Sequence, residues 1–219
     1  MFEAVLFDCD GVLIDTERLA NQINADLLQE AGIDISYEQC RKHFLGKTGD
    51  QVREWITTIY GYLPKNLQES HGEWRKRFYQ KLHQEDLVIP GIKELLSGLT
   101  VCKAVVTNSS LKELRYKLDQ TGLRHHFPDH LCFSGYDLNL PKPHPGAYLA
   151  AADALATAPA HCIVIEDSPP GVQAAVAAGM TVLGFNQEHE FDSLINAGAS
   201  HCFTDINELS IQLNQYINI

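Results

Sequence analysis

The sequence predicts an α/β protein, a doubly wound parallel sheet with a block of helices inserted after the first strand. Three observations carry this reading. Short β-branched runs without polar alternation recur along the chain: Ala4–Phe7 (AVLF), Val101–Thr107 (VCKAVVT), Cys162–Glu166 (CIVIE) and Thr181–Phe185 (TVLGF), with a weaker one at Leu131–Phe133. Such runs suit strands that are covered on both faces. Helical segments separate them, and strand–helix alternation is the pattern of a sheet wound in both directions. The stretch from Thr16 to Leu87, by contrast, holds helical periodicity and no convincing strand.

Each element has a local justification. Within the insert, Leu19, Ile23 and Leu27 recur at helical spacing, as do Val52, Trp55, Ile56 and Ile59. Tyr62–Pro64 breaks the pattern and Leu67–Leu82 resumes it, with Trp74 and Phe78 on its apolar side; both tryptophans are expected in the core of the insert. The sheet resumes past Pro90-Gly91. Leu111–Thr121 follows the polar start Asn108-Ser109-Ser110, where one serine is expected to cap the helix. Ala147–Leu155 follows a proline-rich turn, and Val172–Ala178 ends at Gly179, a fitting residue just past a helix. The expected division is residues 1–15 with 88–219 for the α/β core, and 16–87 for the helical insert.

With 219 residues, 45% hydrophobic and 21% charged, the composition is that of an ordinary globular protein rather than a disordered one. No window approaches the ~20 apolar residues of a membrane span, and the start MFEAVLFDCDGV lacks the basic segment of a signal peptide. The formal charge of -11 repels phosphate backbones, so neither nucleic acid nor membrane is expected as a partner. It also requires that any anionic substrate meet a local cation. Six cysteines are scattered without a C-x-x-C pair, four of them in strand-like runs; buried free thiols in a reducing compartment, the cytoplasm, are expected.

Two acidic pairs carry the chemistry. Asp8 and Asp10 follow the first strand, and Glu166 and Asp167 end the CIVIE strand. In an open parallel sheet the carboxyl ends of neighbouring strands share the edge where ligands bind. A lone Asp after a strand is usually a cap or turn residue. Two acidic pairs on two strand ends are not explained that way: they repel each other unless a hard cation such as Mg²⁺ holds them. A third strand end supplies Thr107, Asn108, Ser109 and Ser110, a hydroxyl and amide cluster at a helix start that also suits an anion. Lys142 stands between prolines in Leu140-Pro141-Lys142-Pro143-His144-Pro145, a stiff loop that aims it. A carboxylate nucleophile, a second carboxylate, a cation, a hydroxyl and a fixed lysine are what phosphoryl transfer through an aspartyl-phosphate needs.

At these residues the chain resembles the haloacid dehalogenase superfamily. Phe7-Asp8-Cys9-Asp10-Gly11-Val12 is similar to its D-x-D-G-[VT] start, Thr107 to its second motif, Lys142 in KPHP to its third, and Glu166-Asp167-Ser168 with GVQAAVAAGM to its fourth. The resemblance implies a Rossmann-like core and makes the helical insert a four-helix cap, as in the β-phosphoglucomutase-like and phosphoglycolate phosphatase branch. The stretch HFPDHLCFSGYDL is similar to bacterial sugar-phosphate phosphatases of 6-phosphogluconate type. Carried over, the resemblance makes Asp8 the nucleophile and Asp10 the general acid, then base. It gives the phosphoryl oxygens to Thr107 and Lys142, joined by Asn108. Mg²⁺ falls to Asp8, the carbonyl of Asp10, and Asp167, with Glu166 direct or through water. The implied protein is a Mg²⁺-dependent phosphatase of a small phosphorylated metabolite, a monomer with a dimer as the alternative.

Two competing readings are weighed at the same residues. A β-phosphoglucomutase would carry a cap histidine in a D-T-x-x-x-H pattern, but the chain reads Asp15-Thr16-Glu17-Arg18-Leu19-Ala20, with Ala20 in that place. A non-enzymatic phosphoacceptor of receiver type would have no helical insert splitting its core. Substrate choice is expected in the insert, with Lys47 in Phe44-Leu45-Gly46-Lys47-Thr48, Glu17 and Arg53 as candidate contacts. Cys9 is expected to be structural.

Overall fold

The structure is a computed structural model that describes residues 2–44, 49–68, 70–188 and 191–217. The chain divides into two compact units, residues 1–14 with 88–219, and residues 15–87.

The first unit is built on six parallel strands: β1 (Ala4–Phe7), β2 (Cys102–Thr107), β3 (Cys132–Ser134), β4 (Cys162–Glu166), β5 (Thr181–Phe185) and β6 (His201–Phe203). Their spatial order is β3-β2-β1-β4-β5-β6, so the order reverses at β1. That reversal opens the crevice in which open α/β sheets bind ligands. The register sets Phe7 beside Val105 on one side and Ile165 on the other. The next residue, Asp8, donates its N–H to Ile165 O at 3.0 Å. One step past the last apolar pair, the acids thus emerge at a single edge. All four side chains of β1 and all five of β4 are buried, which is why these strands read as unbroken apolar runs.

Connecting helices cover the sheet. Leu111–Gln120, Gly146–Ala154 and Pro169–Ala177 correspond to the three helices read from the sequence. The last begins three residues earlier than its apolar pattern suggests. Ser168 caps it, its Oγ accepting the Gly171 N–H at 3.2 Å, and two prolines fill the first turn, where no N–H is missed. Three further helices, Ile92–Gly98, Asp192–Ala197 and Ile206–Ile217, and strand β6 were not visible in the apolar pattern. Strand β6 lies at the sheet edge with His201 exposed and Cys202 and Phe203 half-buried, so it needs no apolar run. The weak run at Leu131–Phe133 is shifted: Leu131 closes a 3₁₀ turn, and the strand is Cys132–Ser134.

The second unit holds α1 (Thr16–Glu30), α2 (Tyr37–Phe44), α3 (Gly49–Tyr60), a single turn α4 (Lys65–Gln68) and α5 (Ser70–Gln84). Among the described residues, four longer helices plus one turn make up the bundle. Asp15 caps α1 by accepting the Arg18 N–H at 3.1 Å, and Leu19, Ile23 and Leu27 form its buried stripe. Arg77 of α5 forks onto both carboxylate oxygens of Glu30 at 2.8 and 2.9 Å, tying the end of α1 to α5. The two tryptophans are not in the core as expected. Trp55 and Trp74 are half-buried, since rings of this size are seldom enclosed completely; Trp55 stacks on His43 and Trp74 on Phe78.

All six cysteines are free. Cys9, Cys40, Cys132 and Cys162 are buried, but Cys102 is exposed and Cys202 only half-buried, which corrects the expectation of uniformly buried thiols. Cys102 is the first residue of β2, which becomes buried only from its third residue on. No helix among the described residues is long and apolar enough to cross a membrane.

Candidate active site

Strands β1, β2 and β4 deliver the sequence-selected groups to one edge of the sheet. After β1 the chain turns sharply, with Gly11 N–H donating to Ile14 O and Leu13 N–H to Cys9 O. Gly11 sits at φ +87°, and a Cβ there would fall 1.8 Å from Asp167 Oδ2. Only glycine meets both demands, positive φ and the close approach of the carboxylate. Gly171 is constrained likewise by Glu166, whose Oε1 would lie 1.8 Å from an added Cβ.

Lys142 is the centre of a buried network. Its Nζ donates to Glu166 Oε1 at 2.6 Å, to Val106 O at 2.8 Å and to Asp8 Oδ1. These three acceptors use all the donors of an ammonium. Tyr148 donates its hydroxyl to the same Glu166 oxygen at 2.9 Å, and its ring stands 5.1 Å beneath Nζ. Glu166 Oε2 takes the N–H groups of Asp167 and Ser168 and the Ser168 hydroxyl at 2.9–3.1 Å. Burial works against the Lys142 charge, but Asp8 and Glu166 override it and hold the ammonium well above its ordinary range. Burial, with help from Glu166 and Asp10 and against Lys142, pushes the Asp8 carboxyl up to about 7.

The remaining sequence candidates lie at the end of β2 and on the segments that follow β1 and β2. Thr107 ends β2, buried, and its Oγ1 accepts the Ser109 N–H at 3.0 Å. Asn108, expected at the phosphoryl oxygens, has its amide turned to the Lys142 backbone: Oδ1 accepts the Lys142 N–H at 2.8 Å and Nδ2 donates to Lys142 O at 3.4 Å. It therefore splints the lysine loop to the end of β2. Ser110 is the helix cap, its Oγ accepting the Glu113 N–H at 3.3 Å. Burial pushes the Cys9 thiol far above its ordinary range and keeps it protonated, as suits a structural residue.

Sequence reading missed Lys117 and Tyr148. Lys117, on helix α7 (Leu111–Gln120; α6 is Ile92–Gly98), donates Nζ to Asp10 Oδ1 at 2.6 Å and Oδ2 at 2.7 Å. Ser109 Oγ completes the triangle at 3.2 Å from both groups. A signal did exist: Lys117 lies three residues past Leu114 and next to Leu118, on the buried face of its helix. Tyr148 carried none, since an aromatic on a buried helix face reads as core.

Asp8, Glu166 and Asp167 each offer a carboxylate oxygen, all within 4.8 Å of one another. Oxygen donors at such spacing suit a hard divalent cation, which would also relieve their mutual repulsion. The residues present therefore fit a divalent metal.

In the helical unit, a cavity of about 430 Å³ is lined by Glu17, Ala20, Asn21, Asn24, Arg53 and Trp74 among others. Two of the three contacts expected there, Glu17 and Arg53, share this one lining, and Asp50 on the same lining pairs with Arg53. Trp74 donates Nε1–H to Asn24 Oδ1 at 3.0 Å at its wall. The third, Lys47, lies outside the described residues, as do Leu45, Gly46 and Thr48.

Comparison with known proteins agrees with this geometry. Residues 2–179 match the family model described as haloacid dehalogenase-like hydrolase. The chain is 30% identical over 207 residues to a 6-phosphogluconate phosphatase of Escherichia coli, covering 94% of this chain and 92% of that one. It is 32% identical over 185 residues to hexitol phosphatase B of the same species, covering 81% and 80%. A crystal structure of a family hydrolase from Deinococcus radiodurans with bound phosphate and sodium superposes with a TM-score of 0.87 at 29% identity, over 98% of this chain and 96% of that one. With this match, and with three strand-end motifs and the loop lysine gathered at one edge, the chain belongs to the haloacid dehalogenase-like hydrolases.

Proposed function

We propose that the chain is a Mg²⁺-dependent phosphatase that hydrolyses a small sugar phosphate or sugar-acid phosphate through an aspartyl-phosphate on Asp8. The observation that carries this reading is the junction of Asp8 with Lys142 and Glu166 at the switch point of the sheet, with Asp10 two residues on. The names of the phosphatase relatives support the substrate class.

In the first step an Asp8 carboxylate oxygen attacks phosphorus in line with the ester oxygen. As the phosphorus–oxygen ester bond breaks, Asp10 gives its proton to the leaving alkoxide. Asp10, now a carboxylate, takes a proton from water, whose oxygen attacks phosphorus and breaks the bond to Asp8. Inorganic phosphate leaves and both acids return to their starting state. The Thr107 hydroxyl holds a non-bridging oxygen, and the Lys142 ammonium holds another by turning its Asp8 donor to the phosphoryl group as Asp8 attacks. Mg²⁺, held by Asp8, Asp167 and the Asp10 carbonyl, would neutralise charge on the transferring group. Glu166 already accepts five hydrogen bonds, which favours its contact with the ion through water and a primary task of holding Lys142.

The cavity of the helical unit supports a hydroxyl-rich leaving group. Its wall mixes two carboxylates, two guanidinium groups and two amides with an indole and a phenyl ring, a mixture that suits polyols by hydrogen bonds and stacking. Ala20 brings a methyl group to that wall where the mutase pattern has an imidazole, which favours transfer to water over transfer back to a sugar. Free cysteines support a reducing compartment, the cytoplasm.

The test is phosphate release from a panel of hexose, pentose, sugar-acid and nucleotide phosphates with Mg²⁺, with EDTA and Asp8→Asn as controls. Release that needs both the metal and Asp8 supports the reading. Silence across the panel, with β-glucose 1-phosphate interconverted once a bisphosphate is added, would replace it by a mutase.

A further inference from the structure

We infer that Lys117 is a positioning residue of the reaction: together with Ser109 it holds the Asp10 carboxylate in place, and it gives up one Asp10 oxygen while that oxygen carries the proton exchanged with the leaving group and with water. The inference rests on the reading of Asp10 as general acid and base.

The geometry is that of a clamp rather than of a chance ion pair. Lys117 Nζ bonds both Asp10 oxygens, at 2.6 and 2.7 Å, so it fixes the plane of the carboxylate as well as its place. Ser109 Oγ reaches Asp10 Oδ2 and Lys117 Nζ, each at 3.2 Å, and closes a three-membered ring of hydrogen bonds. Two acceptors on Asp10 and one on Ser109 engage all three donors of the ammonium.

Both arms of the clamp are anchored in the sheet unit. The stem of Lys117 leaves the buried face of α7 between Leu114 and Leu118, and its side chain is 7% exposed. Ser109 is held by its own backbone, with N–H to Thr107 Oγ1 at 3.0 Å and its carbonyl accepting the Ser134 hydroxyl at 2.7 Å. The Asp10 side chain, by contrast, is 30% exposed. It is the solvent-facing partner of a pair whose lysine lies inside. A long flexible side chain is seldom buried unless its charge has a fixed partner, and the partner here is the acid–base residue. Exposed and unclamped, an aspartate would sample several rotamers, and misplacement by about 1 Å is enough to lower a rate ~100-fold.

The experiment compares an alkyl and an aryl ester. 6-Phosphogluconate, or the alkyl ester that the panel ranks highest, needs a proton on its leaving oxygen; p-nitrophenyl phosphate does not. In Asp10→Asn, kcat/KM should fall far more for the alkyl ester. Lys117→Met should repeat that selectivity, with a loss of ~10–100-fold for the alkyl ester and less than about threefold for the aryl ester on the same scale. Lys117→Arg should recover part of the alkyl activity. A crystal structure of Lys117→Met should show the Asp10 carboxylate in more than one conformer. Equal losses on both esters, or none, with Asp10→Asn still selective, would overturn the inference. If Asp10→Asn is itself unselective, the acid–base reading fails and takes the inference with it. Should Lys117→Met fail to fold, Ser109→Ala reads the same clamp, with a smaller loss confined to the alkyl ester; an equal loss on both, or none, would overturn it.

Discussion

Lys142 Nζ lies 2.6 Å from Glu166 Oε1, and the two side chains are 4% and 0% exposed. The loop lysine and the strand-end glutamate, 24 residues apart, form a buried ion pair that Asp8 joins from the neighbouring strand. Its energetics differ from those of a surface pair, because each charge depends on the other for what water no longer supplies.

The first prediction concerns this pair. Lys142→Met leaves Asp8 and Glu166 facing each other without the ammonium. Loss of one partner of a buried pair costs about 3–5 kcal/mol. Urea unfolding in EDTA should show that loss, and a change under about 1 kcal/mol, the value of an exposed pair, would count against a tight buried network.

A second prediction follows from Asp8. Its carboxyl is held up to about 7 against an ordinary 3.8, chiefly by burial. Its proton therefore favours the folded chain: this contribution is full below pH 3.8 and is lost as pH rises through about 7. The metal requires the carboxylate, so Mg²⁺ should bind more weakly by about tenfold per pH unit below 7, with release of a proton. Calorimetric titration at pH 6 and pH 8 in two buffers of different ionisation enthalpy measures that proton. Affinity independent of pH would exclude Asp8 as a ligand.

Gly11→Ala tests the approach of Asp167. The added methyl would lie 1.8 Å from Asp167 Oδ2, and the backbone stands at φ +87°. Left-handed backbone costs about 1–2 kcal/mol for an alanine, and Asp167 must move as well. Mg²⁺ affinity should drop by more than ~10-fold, one ligand's worth of displaced geometry. Unchanged affinity would mean that Asp167 is no ligand.

Filling the helical unit's cavity should act on the sugar alone. Ala20→Phe projects a ring into the space bounded by Asn21, Asn24 and Trp74. KM for a sugar phosphate should rise while p-nitrophenyl phosphate is spared, the pattern of lost ground-state binding. Lys47→Ala should do the same, and an equal loss on both esters would argue against either contact.

Thiol exposure gives a check that needs no substrate. Cys102 is exposed and Cys9 wholly buried. An alkylating reagent should modify Cys102 first and leave activity intact, since Cys102 opens β2 at the end opposite Thr107. Rapid loss of activity that maps to Cys9 would contradict its buried, protonated state.

Most of the core and all four motifs were legible in the sequence, for a definite reason. Buried parallel strands need unbroken apolar runs, so AVLF and CIVIE announce themselves, and the acids that follow stand out against them. Edge strand β6 and the short helix Asp192–Ala197 have no such need, and their patterns were silent. The half-burial of Trp55 and Trp74 was equally hidden, because helical spacing tells which face turns inward but not how deeply a large ring goes.

Local periodicity and residue type were enough for the buried strands, the acidic pairs that follow them, the loop lysine and the family. Tertiary structure decided the partners. It turned the Asn108 amide onto the Lys142 backbone, filled the acceptor sites of Glu166 and brought Lys117 to Asp10 across 107 residues of chain. A carboxylate's role depends on which donors reach it and how much water remains. Those are properties of packing between segments far apart in sequence, and no local pattern encodes them.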